Sequence, residues 1–202
     1  MPSYTLSTTG AETDAILSRA GKNPATGWRD MLAPLIAAGI PVTNAPSSVD
    51  FGPEHTPQRE ALSFAVGDYC FVQGFHVNHD MKPGGAAYIH VHWSTDGTDT
   101  NTVKWEFTVM RALGHNQENF GVPTAITVEQ AAAGTAWRHM VAEVDAADAL
   151  TLIEPDELIL VTLRRVTNGA TDNGDTVFGL FCDLHYETDR EATINKAPDF
   201  YA

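Results

Sequence analysis

From Thr102 to Leu113 the chain alternates between apolar and polar side chains. Val103, Trp105, Phe107 and Val109 share one face, and Lys104, Glu106 and Thr108 share the other. A period of two fixes a half-buried strand, because successive side chains of a strand point to opposite faces. Runs of the same kind recur at Ala61–Val66, Tyr69–Val77, Ala86–Ser94, Thr124–Val128, Ala136–Val144, Glu157–Val166 and Val177–Glu187. Turn residues separate them: Gly67-Asp68, Pro83-Gly84-Gly85, Asp96-Gly97-Thr98-Asp99 and the two Asn-Gly pairs within Thr167–Thr176. Only Gln130–Ala133 and Ala146–Leu150 suggest a helical turn between them. About eight strands joined by turns rather than helices make an all-β chain, an antiparallel β-sandwich or jelly roll.

Residues 1–60 have a different texture. They hold Pro24, Pro34, Pro41, Pro46, Pro53 and Pro57, with helical stretches expected at Ala11–Ala20 and near Trp28–Ala38, then an extended linker over Ile40–Pro57. The expected organisation is an extended, partly helical N-terminal arm over 1–60, a sandwich domain over 61–190 and a C-terminal tail over 191–202. The arm carries Trp28 and Leu32, and the tail ends in Phe200 and Tyr201. These four large apolar residues are the candidate interface residues.

The 202 residues include 12 basic and 26 acidic side chains, a net charge of −14 with neutral histidine. Such a chain repels phosphate, which argues against direct binding of nucleic acid or of an anionic membrane. No apolar run reaches the length of a membrane span. Cys70 and Cys182 each fall in a strand-like run and are expected as buried free thiols, inert toward substrates.

His90 and His92 are the best metal candidates. Two residues apart on a strand, they point the same way beside Tyr88, while Ile89, Val91 and Trp93 point into the core. On the last strand Leu180, Cys182, Leu184 and Tyr186 are expected inward, so Asp183, His185 and Glu187 face out. Asp183 and His185 become further ligands if the two strands are neighbours. Of His76 and His79, which lie on opposite faces, at most one can join. The bland alternative is a row of imidazoles hydrogen-bonded to acidic neighbours. The spacing Gly84, five residues, His90-Val91-His92 resembles the first half of the cupin motif, but Asp96 stands where a glutamate is wanted and no second motif follows. A cupin-like metal enzyme or a sugar-binding module using His90 and His92 is therefore the alternative function. Trp93 and Trp105 fall on apolar faces and read as core rather than as sugar platforms. No Gly-x-Ser-x-Gly elbow or phosphate loop is present, and the oxygen-rich turns at Asp96–Asp99 and Asp172–Asp175 read as solvated turns rather than calcium loops. Glu154-Pro155-Asp156 reads as a strand-entry turn. No catalytic residue and no cofactor is assigned.

Several blocks resemble a family of tailed-bacteriophage and prophage virion proteins. They are Trp28-Arg29-Asp30-Met31, Phe75-His76-Val77-Asn78-His79-Asp80, Pro83-Gly84-Gly85 and Tyr88-Ile89-His90-Val91-His92-Trp93. Further along come Gly114-His115-Asn116-Gln117, Glu154-Pro155-Asp156, Leu184-His185-Tyr186-Glu187 and Thr193–Tyr201. The resemblance implies a non-enzymatic structural protein of the virion, made in the bacterial host cytoplasm. It would decorate the head, form a neck or collar, or attach a tail fibre. Its partners would be copies of itself, a trimer among the states considered, and other virion proteins.

Overall fold

A computed structural model describes residues 26–53 and 59–200. The helix expected at Ala11–Ala20, His55 and Tyr201 lie outside those residues. Eleven strands follow in chain order: β1 (Thr26–Pro34), β2 (Ser47–Asp50), β3 (Glu60–Ser63), β4 (Tyr69–His76), β5 (Ala86–Thr95) and β6 (Thr102–Leu113), then β7 (Thr124–Ala131), β8 (Met140–Glu143), β9 (Leu150–Thr151), β10 (Glu157–Val166) and β11 (Val177–Asp189). They form two antiparallel sheets. The larger has seven strands, in the order β2-β3-β11-β5-β8, with β1 also paired to β11 and β9 to β5. The smaller has four, in the order β4-β10-β6-β7. The chain is an all-β sandwich, as its alternation requires.

The two inner faces supply the core. From the larger sheet come Ile89, Val91, Trp93, Cys182, Leu184 and Tyr186; from the smaller come Val103, Trp105, Phe107, Ile159, Val161 and Leu163. Trp93 and Trp105 are fully buried, so neither is a surface platform. Phe64 meets Trp105 edge-on with ring centroids 5.3 Å apart. Each fully buried side chain of this size contributes about 1.5–3 kcal/mol relative to exposure, which makes inward alternation the dominant folding instruction.

Five local expectations are corrected. The segment near Trp28–Ala38 is not a helix: Thr26–Pro34 is strand β1, and only Leu35–Ala37 makes a single 3-10 turn. Trp28, Leu32, Leu35 and Ile36 have helical spacing only because the set straddles that strand-to-turn junction. The free edge of β11 offers hydrogen bonds over nine residue pairs, from Thr26 opposite Asp189 to Pro34 opposite Phe181, and this tertiary pairing overrides the local signal. Part of the expected linker is likewise in the sheet, since β2 pairs with β3. Gln130–Ala133 continues strand β7 as far as Ala131, and 146–150 forms a turn leading into β9. Leu180 is half-buried instead of inward. The β5–β11 register shifts between Gly179 and Phe181, and such a bulge reverses which residues face in. Val177 is inward before it, and Cys182, Leu184 and Tyr186 after it. Gly179 itself lies so close to Leu35 and Phe64 that a Cβ there would approach each to 2.8 Å.

β1 has one polar anchor. Arg29 makes an ion pair with Asp80 at 2.5 Å, and Asp80 also accepts a hydrogen bond from the Tyr186 hydroxyl at 2.9 Å. Asp80 is buried, so its carboxylate depends on these partners. Arg29→Ala is expected to cost about 1–3 kcal/mol in chemical denaturation and to remove hydrogen-exchange protection from β1 before the rest of the larger sheet.

Candidate functional site

Antiparallel pairing places directly opposed residues on one face, so the register spells out the outer face of the larger sheet. One row crosses four strands: Leu32, Asp183, His90 and Glu143. Beside it run Pro34, Phe181, His92 and Val141 on one side, and Asp30, His185 and Tyr88 on the other. Trp28, opposite Glu187, stacks at a tilt against Tyr88 with centroids 5.6 Å apart. Trp28 and Leu32 stay well exposed, at 55% and 64%.

At the middle of this face three ligand-type atoms converge. His90 Nε2 lies 3.1 Å from His92 Nε2 and 3.2 Å from Asp183 Oδ2, and His92 Nε2 lies 3.1 Å from the same oxygen. His90 is 1% exposed and Asp183 4%, walled in by their neighbours although they sit on an outer face. Burial by itself raises the Asp183 carboxyl, but the hydrogen bonds from His90 and His92 outweigh it and hold the group down to about 2. His185 is adjacent, its ring 4.1 Å from that of His90, yet it turns to two other carboxylates: Nδ1 to Glu143 at 2.9 Å and Nε2 to Asp30 at 2.6 Å. Thus the three histidines expected as a group are together, while Asp183 rather than His185 completes the triangle. His139 was not anticipated. Its Nε2 meets His92 Nδ1 at 2.6 Å and its ring stacks on His92. The period-two set His139, Val141, Glu143 carried the signal.

A second histidine cluster lies elsewhere, around Asp156. This residue has a positive φ of 66° and sits at the turn before β10. Its carboxylate faces His76 Nε2 at 3.2 Å, His79 Nε2 at 3.4 Å and His115 Nε2 at 2.6 Å. His79 Nδ1 is bonded to the Thr193 hydroxyl, and Phe200 packs edge-on against the rings of His79 and His115, each at 5.6 Å between centroids. So His76 and His79 both leave the first cluster and join this one. Phe200, a candidate interface residue, is 3% exposed and seated on its own chain. Of the eight histidines in the sequence, His55 lies outside the described residues and every other one belongs to one of these two clusters.

The remaining candidates are structural. Cys70 and Cys182 are free and buried; burial pushes the Cys70 thiol up to about 12 and the Cys182 thiol well above its ordinary value, so neither is a nucleophile near neutrality. The two oxygen-rich turns lock each other. Asp99 accepts from the Gly174 amide at 2.8 Å and Asp175 from the Asp99 amide at 2.9 Å. The backbone bonds from Gly174 and Asn101 hold the Asp99 carboxyl below its usual range.

No protein-family model and no curated protein sequence matches the chain. Among solved structures, it is similar to the insecticidal delta-endotoxin Cry8Ea1 of Bacillus thuringiensis (TM-score 0.46, 10% identity), over 79% of this chain but 24% of the toxin. It is also similar to the carbohydrate-binding module CBM36, solved with calcium and xylotriose (TM-score 0.42, 11% identity, 76% of this chain and 98% of the module). A third is CBM35 from Cellvibrio japonicus Abf62 (TM-score 0.43, 12% identity, 79% and 98%). Likeness at this level concerns β-rich architecture and not ligands or partners.

Phe200→Ala is expected to release the tail while the sandwich stays folded. Limited proteolysis should then cut within 191–202 about tenfold faster or more, because cleavage follows the population of the opened segment.

Proposed function

We propose that this chain is a non-enzymatic structural component of a tailed-phage particle, of the head-decoration, neck or tail-attachment kind. It assembles with copies of itself and with other virion proteins through the outer face of its larger sheet. The observation that carries this reading is where the family-like blocks fall in space. In sequence they are scattered; in the fold all but Pro83-Gly84-Gly85 gather into two places. Trp28–Met31, Tyr88–Trp93 and Leu184–Glu187 lie side by side on β1, β5 and β11. Phe75–Asp80, Gly114–Gln117, Glu154–Asp156 and the tail meet at the Asp156 cluster. The Arg29–Asp80 ion pair ties the two groups together. Exposed members of both groups, Trp28 on β1 and His115 at the Asp156 cluster, fit a protein recognised by its surfaces.

The outer face has the mixed character of an association surface. Trp28 and Leu32 offer exposed apolar area on β1, Val141 adds more on β8, and charged and imidazole side chains lie between them. Aromatic anchors ringed by polar groups are what an interface uses, with apolar burial worth about 25 cal/mol per Å². The net charge of −14 favours protein neighbours over packaged nucleic acid. Burial raises the pKa of both thiols, which removes them as nucleophiles near neutrality.

Particles purified from a producing lysate should contain the chain in many copies by quantitative mass spectrometry; particles that lack it contradict the proposal. The isolated protein should form a discrete homo-oligomer by light scattering. Leu32→Asp, at an exposed position where folding stability changes by no more than about 0.5 kcal/mol, should shift it to a folded monomer.

A further inference from the structure

The triangle at the centre of the outer face has a geometry that hydrogen bonding between neutral imidazoles does not satisfy. If both Nε2 atoms carry protons, both donate to Asp183 Oδ2. Neutral His90 then has a bare Nδ1, 3.4 Å from Glu143 Oε2, and two acceptors face each other. If the His90 proton moves to Nδ1, His90 Nε2 and Asp183 Oδ2 become two acceptors 3.2 Å apart that share the single proton of His92 Nε2, 3.1 Å from each. In keeping with this conflict, His90 Nδ1 and Asp183 Oδ1 are both buried without a hydrogen-bond partner. An orphaned atom on each of two side chains more than nine-tenths buried, at one spot, is a rare cost. Either a second proton on His90 or a cation within the triangle resolves the conflict at His90; Asp183 Oδ1 stays without a partner in both.

A cation accounts for more of the arrangement. His90, His92 and Asp183 have one ligand atom each within 3.2 Å of the other two. A tetrahedral zinc shell with bonds of about 2.0–2.1 Å has ligand–ligand edges of about 3.3–3.4 Å. A six-coordinate transition-metal shell with bonds of about 2.2 Å has neighbouring ligands about 3.1 Å apart. The observed triangle is one face of such a shell. Metal on both Nε2 atoms also fixes both Nδ1 atoms as N–H donors. Each Nδ1 already faces a group suited to accept: Glu143 Oε2 for His90, and His139 Nε2 for His92 at 2.6 Å. Metal-bound histidines regularly have such an outer partner, which sets the tautomer and strengthens the ligand. Imidazole nitrogens select transition ions over magnesium or calcium.

We propose that His90 Nε2, His92 Nε2 and Asp183 Oδ2 bind one divalent transition-metal ion, zinc in the first instance, on the outer face of the larger sheet. His139 and Glu143 act as outer-sphere positioning residues. β5 supplies both histidines from one face and β11 supplies the carboxylate through the pairing of His90 with Asp183, so the ion cross-links the sheet's central strands. Three protein ligands leave at least one coordination position for water or for a side chain of a neighbouring subunit. The site does not depend on the virion assignment.

The test uses untagged full-length protein stripped with chelator, then titrated with cobalt(II), zinc(II) and, as a control, magnesium(II). One equivalent of cobalt per chain should bind with a visible d–d spectrum and be displaced by zinc. Zinc at about a hundred times its Kd should raise the unfolding midpoint by about 5–10 °C, and magnesium should leave it unchanged. His92→Ala should abolish the stoichiometric cobalt spectrum. His139→Gln, at an exposed position that leaves the fold intact, should weaken binding about 10- to 100-fold. Folded wild-type protein that takes up no stoichiometric cobalt or zinc overturns the site. Unchanged uptake in folded His92→Ala, or magnesium stabilising as well as zinc, overturns it too.

Discussion

The register between β5 and β11 is the pairing on which the rest depends. It sets Cys182 opposite Val91 and Leu184 opposite Ile89 on the inner face, and by the same step sets Asp183 opposite His90 on the outer one. The strand period of two makes these inseparable: a slip of one residue would turn the core outward and carry the carboxylate into the sandwich. Apolar burial therefore fixes the polar cluster, although the cluster contributes little apolar area itself. The bulge at Leu180 belongs to the same logic. Without it, the parity that suits Val177 would point Cys182, Leu184 and Tyr186 the wrong way.

Strand β11 is also where the chain's first described strand attaches. Its edge away from β5 takes β3 at Phe178 and Gly179 and β1 from Phe181 to Asp189. The outer face thus becomes continuous from Trp28 on β1 to Val141 on β8, with the histidine–carboxylate group in the middle. An apolar rim around a polar, ion-ready centre joins the two proposals. If the proposed ion is bound there, its remaining coordination position would take water or a neighbour's side chain, so metal and assembly would act on the same surface.

The sequence made legible what a period of two can carry. The alternation of Val103, Trp105, Phe107 and Val109, the shared face of His90 and His92, and the outward placement of Asp183 and His185 all follow from it, and all hold. It failed where a neighbouring edge decided the outcome. Nothing local marks Thr26–Pro34 as a strand; its partner lies some hundred and fifty residues away at Asp189–Phe181. His139 and Glu143 were readable in principle as one face of the strand expected at Ala136–Val144, but only the register of β8 on β5 brings that face to His90 and His92. The Asp156 cluster was not readable, because the end of β4, two turns and the tail, far apart in the chain, supply its members and no periodicity relates them to one another.

In the proposed role, the outer face of the larger sheet is where this protein meets its surroundings. A three-dimensional reconstruction of the native particle tests that most directly. It is expected to show Trp28 and Leu32 covered by a neighbouring subunit, with density for an ion among His90, His92 and Asp183. A particle in which this face lies open to solvent, and contacts are made by the opposite sheet instead, would contradict it.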